Sequence, residues 1–239
     1  MAGQTKRINW QVVSGLGLAV LALLCGLWWL SGRDQIKPPP AEAVSLDRTF
    51  AVLGDSYTEG AGAGSWDNGW VTRVSDDMCW TLVKVSAQGG TGYVSASRQS
   101  PGSADFPRRV QNVTAGRPEI VLVQGGLNDL AASSERITSA AVATFNDIKA
   151  GIGGGQIIAV GPVVTPRTDP NEVARVSAAL EEAARATGVR YIDAAKAQWV
   201  HDPKFFVDDG YHLNPSGYEE YARRLIEELK LAGLQPSCR

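Results

Sequence analysis

Thr49-Phe50-Ala51-Val52-Leu53-Gly54-Asp55-Ser56-Tyr57 is the stretch on which the fold turns. Thr49–Gly54 is a short, β-prone run with four consecutive apolar residues at its centre, and it passes without a spacer into Gly-Asp-Ser. A strand solvated on one face alternates apolar and polar residues, whereas a near-continuous apolar run belongs to a strand covered on both faces. Further strands are read at Leu82–Ala87, Glu119–Val123, Gln156–Val160 and Val189–Ile192. Helical patterns lie between them, at Trp70–Cys79, Ala104–Ala115, Ser134–Ala150 and Asn171–Thr187, the last stopped by Gly188. A closing helix, Pro215–Leu231, carries proline near its start. Apolar strands that alternate with helices imply a parallel sheet with helices on both faces. The expected fold class is therefore α/β, a three-layer α/β/α domain with about five strands.

Composition narrows the function. At 239 residues and 44% hydrophobic, the chain can bury one substantial core. The formal net charge is -2 with no block of like charge, which argues against a nucleic-acid partner. Cysteines stand at 25, 79 and 238, without zinc-ligand spacing. With no metal cluster and no phosphate loop, neither a metal nor another cofactor is expected. Only His201 and His212 are available for histidine-dependent chemistry.

The amino-terminal region reads as a membrane anchor. Val12–Leu30 is a run of 19 residues without a charged side chain, close to the 20 or so that span a bilayer core. Lys6 and Arg7 precede it, and Trp28 and Trp29 sit at its far end, where an aromatic belt belongs. The run is long for a signal-peptide core and no A-x-A-like site follows it; were it cleaved, the protein would be secreted. Leu24 stands before Cys25, where a lipoprotein signal wants a small residue. The basic flank places residues 1–32 as a cytoplasmic tip and transmembrane anchor, with the bulk of the chain outside the cytoplasm. Residues 33–47, with Pro38-Pro39-Pro40, read as an extended stalk, and 48–239 as the folded domain.

In a parallel α/β sheet, ligands bind beyond the carboxyl ends of the strands. The first strand delivers Gly54-Asp55-Ser56-Tyr57 there, the second Gln88-Gly89-Gly90-Thr91, and the third Gly125-Gly126-Leu127-Asn128-Asp129. One such turn is explained by glycine's tolerance of tight geometry; three converging on one edge point to a site. Asp208-Asp209-Gly210-Tyr211-His212 precedes the closing helix. A serine is a weak nucleophile until a base takes its proton, and the base must be held in the right tautomer. Asp209, three residues before His212, can supply that hold within one turn-like segment.

The chain resembles the SGNH (GDSL-type) hydrolases. The resemblance rests on Gly54-Asp55-Ser56, Gly89-Gly90-Thr91, Gly126-Leu127-Asn128-Asp129 and Asp209-Gly210-Tyr211-His212, in that order, and covers about 49–232. Tyr57 stands where the family's name motif has leucine. The resemblance implies a flavodoxin-like, doubly wound sheet, and a role for each matched residue. Ser56 is the nucleophile, His212 the general base and later acid, and Asp209 the residue that orients His212. The backbone N–H groups of Ser56 and Gly89 and the side-chain amide of Asn128 form the oxyanion hole. Thr58 stands where a G-x-S-x-G elbow would have its second glycine, so the α/β-hydrolase fold proper is excluded.

Several residues compete for attention. His201 lacks a matching motif and is read as structural or at a substrate rim. Asp208 is read as a solvated neighbour of Asp209. Arg108 and Arg109 are read as exposed helix arginines rather than an anion site. Tyr57, Trp66, Tyr93, Trp199, Phe205 and Phe206 line an acyl or sugar pocket or else belong to core and surface.

The expected activity is that of a carboxylic ester hydrolase of esterase, lipase or acetylesterase type. It would act outside the membrane on small-molecule, lipid or envelope-polysaccharide esters through an acyl-serine intermediate, as a monomer. The alternatives are an acyltransferase that uses the same triad to acylate a sugar hydroxyl, and a catalytically silent carbohydrate-binding domain. With the first and last helices on one face, as the resemblance implies, Cys79 and Cys238 meet at the amino end of the strands. Both a disulfide, which an oxidising exterior permits, and two unrelated thiols fit the sequence.

Overall fold

The computed structural model describes residues 48–97 and 102–238. The anchor and stalk read at 1–47 lie outside the described residues. Among those described, no helix is long and apolar enough to cross a membrane.

Five parallel strands form the centre: β1 (Thr49–Gly54), β2 (Thr81–Ala87), β3 (Ile120–Gln124), β4 (Gln156–Val160) and β5 (Arg190–Ile192), in the order β2-β1-β3-β4-β5. That is the flavodoxin-like order. The helices are α1 (Ser56–Glu59), α2 (Trp70–Met78), α3 (Phe106–Thr114), α4 (Ser134–Ile152), α5 (Pro170–Thr187) and α6 (Pro215–Leu231). The expected elements appear within one to two residues of their bounds; the four-residue α1 is too short to carry a periodic signal.

Burial follows the strand period of two. Phe50 and Val52 of β1, with Ile120, Leu122, Ile158 and Val160, face a core closed by α2 and α6. Ala51, Leu53, Val121, Val123, Ile157 and Ala159 face the other core, closed by α3, α4 and α5. This is why β1 and β3 read as unbroken apolar runs: every side chain in them is covered, whichever way it points. β2 is an edge strand, and Val83, Lys84 and Val85 are exposed there. Its mixed composition follows from that position.

Cys79 caps α2 in a left-handed conformation (φ 50°) and is disulfide-bonded to Cys238 with Cα atoms 5.1 Å apart. Ser237 N–H donates to the Met78 carbonyl at 2.8 Å, so the tail is held by backbone as well. The bond lies where the chain enters β2, at the sheet end opposite the carboxyl-end loops.

Candidate active site

β1 and β3 are adjacent, and the chain leaves them in opposite directions to reach β2 and β4. The loops after them therefore diverge and leave a crevice at the sheet's carboxyl edge. Ser56 enters this crevice as the first residue of α1. The Asp55 carboxylate accepts from Tyr57 N–H at 2.9 Å, which caps the short helix and fixes the turn that presents Ser56.

The second component arrives on residues 206–213, folded back on themselves by a bridge between Phe206 and Leu213. Val207 N–H donates to the His212 carbonyl at 2.9 Å, and Gly210 N–H to the Val207 carbonyl at 2.9 Å. Asn214 caps α6 through Gly217 N–H at 3.0 Å and ties the loop to the Lys204 carbonyl at 2.7 Å. The result is a rigid loop at the start of α6, aimed back over Ser56. His212 Nε2 lies 3.0 Å from Ser56 Oγ, and His212 Nδ1 lies 2.6 Å from Asp209 Oδ2. The other oxygen of Asp209 accepts from the N–H groups of Tyr211 (2.7 Å) and His212 (2.9 Å). Burial opposes ionisation of Asp209, but the hydrogen bonds from His212 and Tyr211 outweigh it and hold the carboxyl below its usual range. Asp208 is exposed, as read from the sequence.

The remaining matched residues close on the same point. A Cβ placed on Gly89 would stand 3.5 Å from Ser56 Cβ and 2.9 Å from Glu59 Oε2, so the backbone here passes close to the serine. Asn128 Nδ2 donates to the Thr91 carbonyl at 2.9 Å and, at 3.5 Å, approaches Asp55 Oδ2. The structure thus gathers all five residues singled out in the sequence: Ser56, Gly89, Asn128, Asp209 and His212.

One correction follows. Arg109 is not exposed; it is 2% accessible and lies beneath the site. Its guanidinium donates to the carbonyls of Ala104 (2.9 Å), Ser86 (2.8 Å) and Gly54 (3.0 Å), and to the hydroxyls of Thr91 (2.8 Å) and Ser86 (3.3 Å). Burial lowers its pKa to about 10, with Asp55, Glu59 and Asp105 opposing the shift, so it stays charged at neutral pH. The signal was present in the sequence, because Arg109 shares a helical face with Phe106, Val110 and Val113. Arg108 is exposed, as expected. For the six aromatics the sequence left a pocket and the core or surface open, and the structure places most of them in the core. Tyr57, Tyr93, Trp199 and Phe206 are buried, and of the six only Trp66 is well exposed, at 41%. Tyr57 Oη donates to the Tyr211 carbonyl at 2.6 Å and so braces the histidine loop.

Asp129 is a further residue whose role the sequence reading left open. Buried in the turn that follows β3, it accepts from the N–H groups of Tyr93 (2.8 Å), Val94 (3.1 Å) and Ser95 (2.9 Å) and so anchors the loop beside Asn128. Burial raises its pKa against those same bonds. His201 stands apart, with Nδ1 3.0 Å from the carbonyl of Gln198 in its own turn. It lines a separate groove of about 420 Å³ with Val163, Trp199 and Lys196. No group of acidic, histidine or cysteine side chains that could hold a metal exists among the described residues.

The GDSL-like lipase/acylhydrolase family matches over residues 52–220, most of the chain. The chain belongs to that family. No curated protein matches the sequence closely enough to serve as a relative. Among solved structures, this GDSL-like protein is similar to a lipase/acylhydrolase from Enterococcus faecalis, with 19% identity and a TM-score of 0.63 over 80% of this chain and all of that one. It is also similar to a psychrotrophic esterase from Pseudoalteromonas sp., with 16% identity and a TM-score of 0.63 over 77% of this chain and 97% of that one. A family two carbohydrate esterase from Clostridium thermocellum matches with 15% identity and a TM-score of 0.64 over 78% of this chain and 64% of that one. At these identities the likeness is one of fold. Family membership makes the GDSL-like protein a carboxylic ester hydrolase.

Proposed function

We propose that the protein hydrolyses acyl or acetyl esters through an acyl-serine intermediate on Ser56. One observation carries the reading: Ser56 Oγ, His212 and Asp209 form an unbroken hydrogen-bonded line, 3.0 Å and 2.6 Å at its two joints. His212 Nε2 takes the Ser56 proton as Oγ attacks the ester carbonyl, and Asp209 holds the imidazole with Nδ1–H toward the carboxylate. The developing oxyanion is met by Ser56 N–H, Gly89 N–H and Asn128 Nδ2. As the tetrahedral intermediate collapses, the imidazolium proton passes to the leaving alkoxide. A water activated by the same imidazole then attacks the acyl-serine, and Ser56 regains its proton.

For the substrate, acyl or acetyl esters of a lipid and of an envelope polysaccharide both fit: the structural neighbours include a lipase/acylhydrolase and a family two carbohydrate esterase. The charge-free run Val12–Leu30 behind Lys6 and Arg7 supports a location outside the cytoplasm on a membrane anchor. Protease added to spheroplasts should then degrade the domain; a fully protected domain would reverse the orientation.

The test of the chemistry is Ser56→Ala, measured on para-nitrophenyl esters of increasing chain length. Removal of one oxygen should leave the fold intact and abolish hydrolysis, and His212→Ala should do nearly the same, while His201→Ala keeps most of the activity. Wild-type turnover by Ser56→Ala would sink the assignment.

A further inference from the structure

We propose that Arg167 forms a binding site for an anionic group, a carboxylate or phosphate, on the ester substrate. The inference rests on the reading of Ser56 and His212 given above.

Arg167 lies in the loop after β4, at the same carboxyl edge as the triad. Its stem runs across the bare face of Gly210 in the segment Asp209–His212. A Cβ on Gly210 would stand 2.9 Å from Arg167 Cγ and 3.3 Å from its Nε. Gly210 also adopts φ +67°, so two independent constraints keep a side chain out of the place the arginine occupies. The base of the arginine is equally fixed. Thr165, itself buried, accepts from Arg167 N–H through its hydroxyl at 3.2 Å. Thr165 N–H donates to the hydroxyl of Thr168 at 2.9 Å, and Thr168 N–H to the Thr165 carbonyl at 3.2 Å. The loop thereby lays the stem of Arg167 against Gly210, which stands two residues before His212 in the chain.

That cation is not consumed by the protein. Arg167 is exposed and forms no ion pair among the described residues, whereas Arg175, Arg223 and Arg224 each hold a glutamate within 3.0 Å. Neighbouring Asp208 is likewise outside every ion pair there, and both oxygens of Asp209 are engaged by Tyr211 and His212. An anionic group on the substrate can pair with this exposed guanidinium, and a neutral ester cannot.

Two matched pairs of esters read this directly: meta-acetoxybenzoate against its methyl ester, with the charge on the alcohol portion, and mono-para-nitrophenyl suberate against para-nitrophenyl octanoate, with the charge on the acyl portion. In the wild type, kcat/KM for the anionic member of at least one pair should exceed that of the neutral member, and the ratio should fall with added salt. In Arg167→Gln that ratio should drop by about fivefold, the size expected of one partly exposed charge interaction. Arg167→Glu should lower it further, and Arg167→Lys should restore part of it. Ratios that agree within twofold across wild type, Arg167→Gln and Arg167→Glu for both pairs would overturn the site, as would equal losses on neutral and anionic esters, which would mark a loop brace. Failure of the wild type to cleave any of the four esters is a different result: it removes the hydrolase reading itself, and this inference with it.

Discussion

Nη2 of Arg109 donates to the carbonyl oxygen of Gly54 across 3.0 Å, directly behind the turn that carries Ser56. The same side chain reaches β2 through Ser86 and the loop after β2 through Thr91, so one buried cation joins three carboxyl-end segments. Arg109→Met keeps much of the volume but removes five hydrogen bonds at once. We expect a loss of roughly 3–5 kcal/mol in urea unfolding, as for other broken buried polar networks. Arg109→Lys should recover only a fraction, because a point ammonium cannot satisfy a fork of acceptors. A change below about 1 kcal/mol in Arg109→Met would contradict the clamp.

Asn128 should matter to turnover more than to binding. Its 2.9 Å bond to the Thr91 carbonyl fixes the amide, and its second, weaker bond to Asp55 at 3.5 Å is the one to be exchanged for an oxyanion. Asn128→Ala should lower kcat by about 10²–10³ while KM moves far less, since the charge it meets develops only in the transition state. Steady-state kinetics on an activated acetyl ester decides it; a loss confined to KM would remove Asn128 from the oxyanion hole.

Asp55 supplies a pH test of stability. Complete burial pushes its pKa from 3.8 up to about 7, against the hydrogen bonds from Tyr57 and Gln124 and with Asp129 adding to the rise. Between these two values the folded protein holds a proton that the unfolded chain has released. Stability from this group is therefore present below pH 3.8 and is lost as pH rises to about 7. The slope is about 1.4 kcal/mol per pH unit at most. Asp55→Asn keeps the cap acceptor for Tyr57 N–H but cannot ionise, so it should gain stability relative to wild type between pH 5 and pH 8. Parallel urea curves for the two proteins at both pH values would show no such gain if Asp55 titrated like an exposed carboxyl.

The Cys79–Cys238 bond closes a loop of sequence separation 159, which restricts the unfolded chain strongly. Replacing both cysteines with serine should cost about 2–5 kcal/mol and lower Tm. Because the bond sits at the amino end of the strands, kcat/KM of the folded variant should match wild type. A fall in activity without a fall in Tm would show that the tail reaches the site.

The covered strands were legible because burial on both faces leaves an apolar trace in the chain itself: Phe50–Leu53 and Ile120–Val123 admit few other readings. The candidate triad was legible for a related reason. Ser56, Asn128 and the Asp209–His212 pair each sit in a short motif whose chemistry is local, and the strand order needed only to bring the motifs together. The single-turn α1 was not legible, since four residues do not complete a hydrophobic period.

Arg109 and Tyr57 mark the boundary between what the sequence determined and what the tertiary structure decided. Local spacing placed Arg109 on the apolar face of its helix beside Phe106, yet whether an arginine there is buried depends on what lies opposite. What lies opposite are the carbonyls of Gly54, Ser86 and Ala104, two of them on strands far away in the chain. Tyr57 likewise reads as a residue next to a nucleophile, and becomes a brace because the Tyr211 carbonyl, 154 positions along, comes within 2.6 Å of its hydroxyl. The same holds for Arg167, which no motif singles out and which gains meaning only against Gly210. Covalent neighbours and helical or strand period fix which residues can share a face. Which polar groups are desolvated together, and so must pair, is set only when distant segments pack.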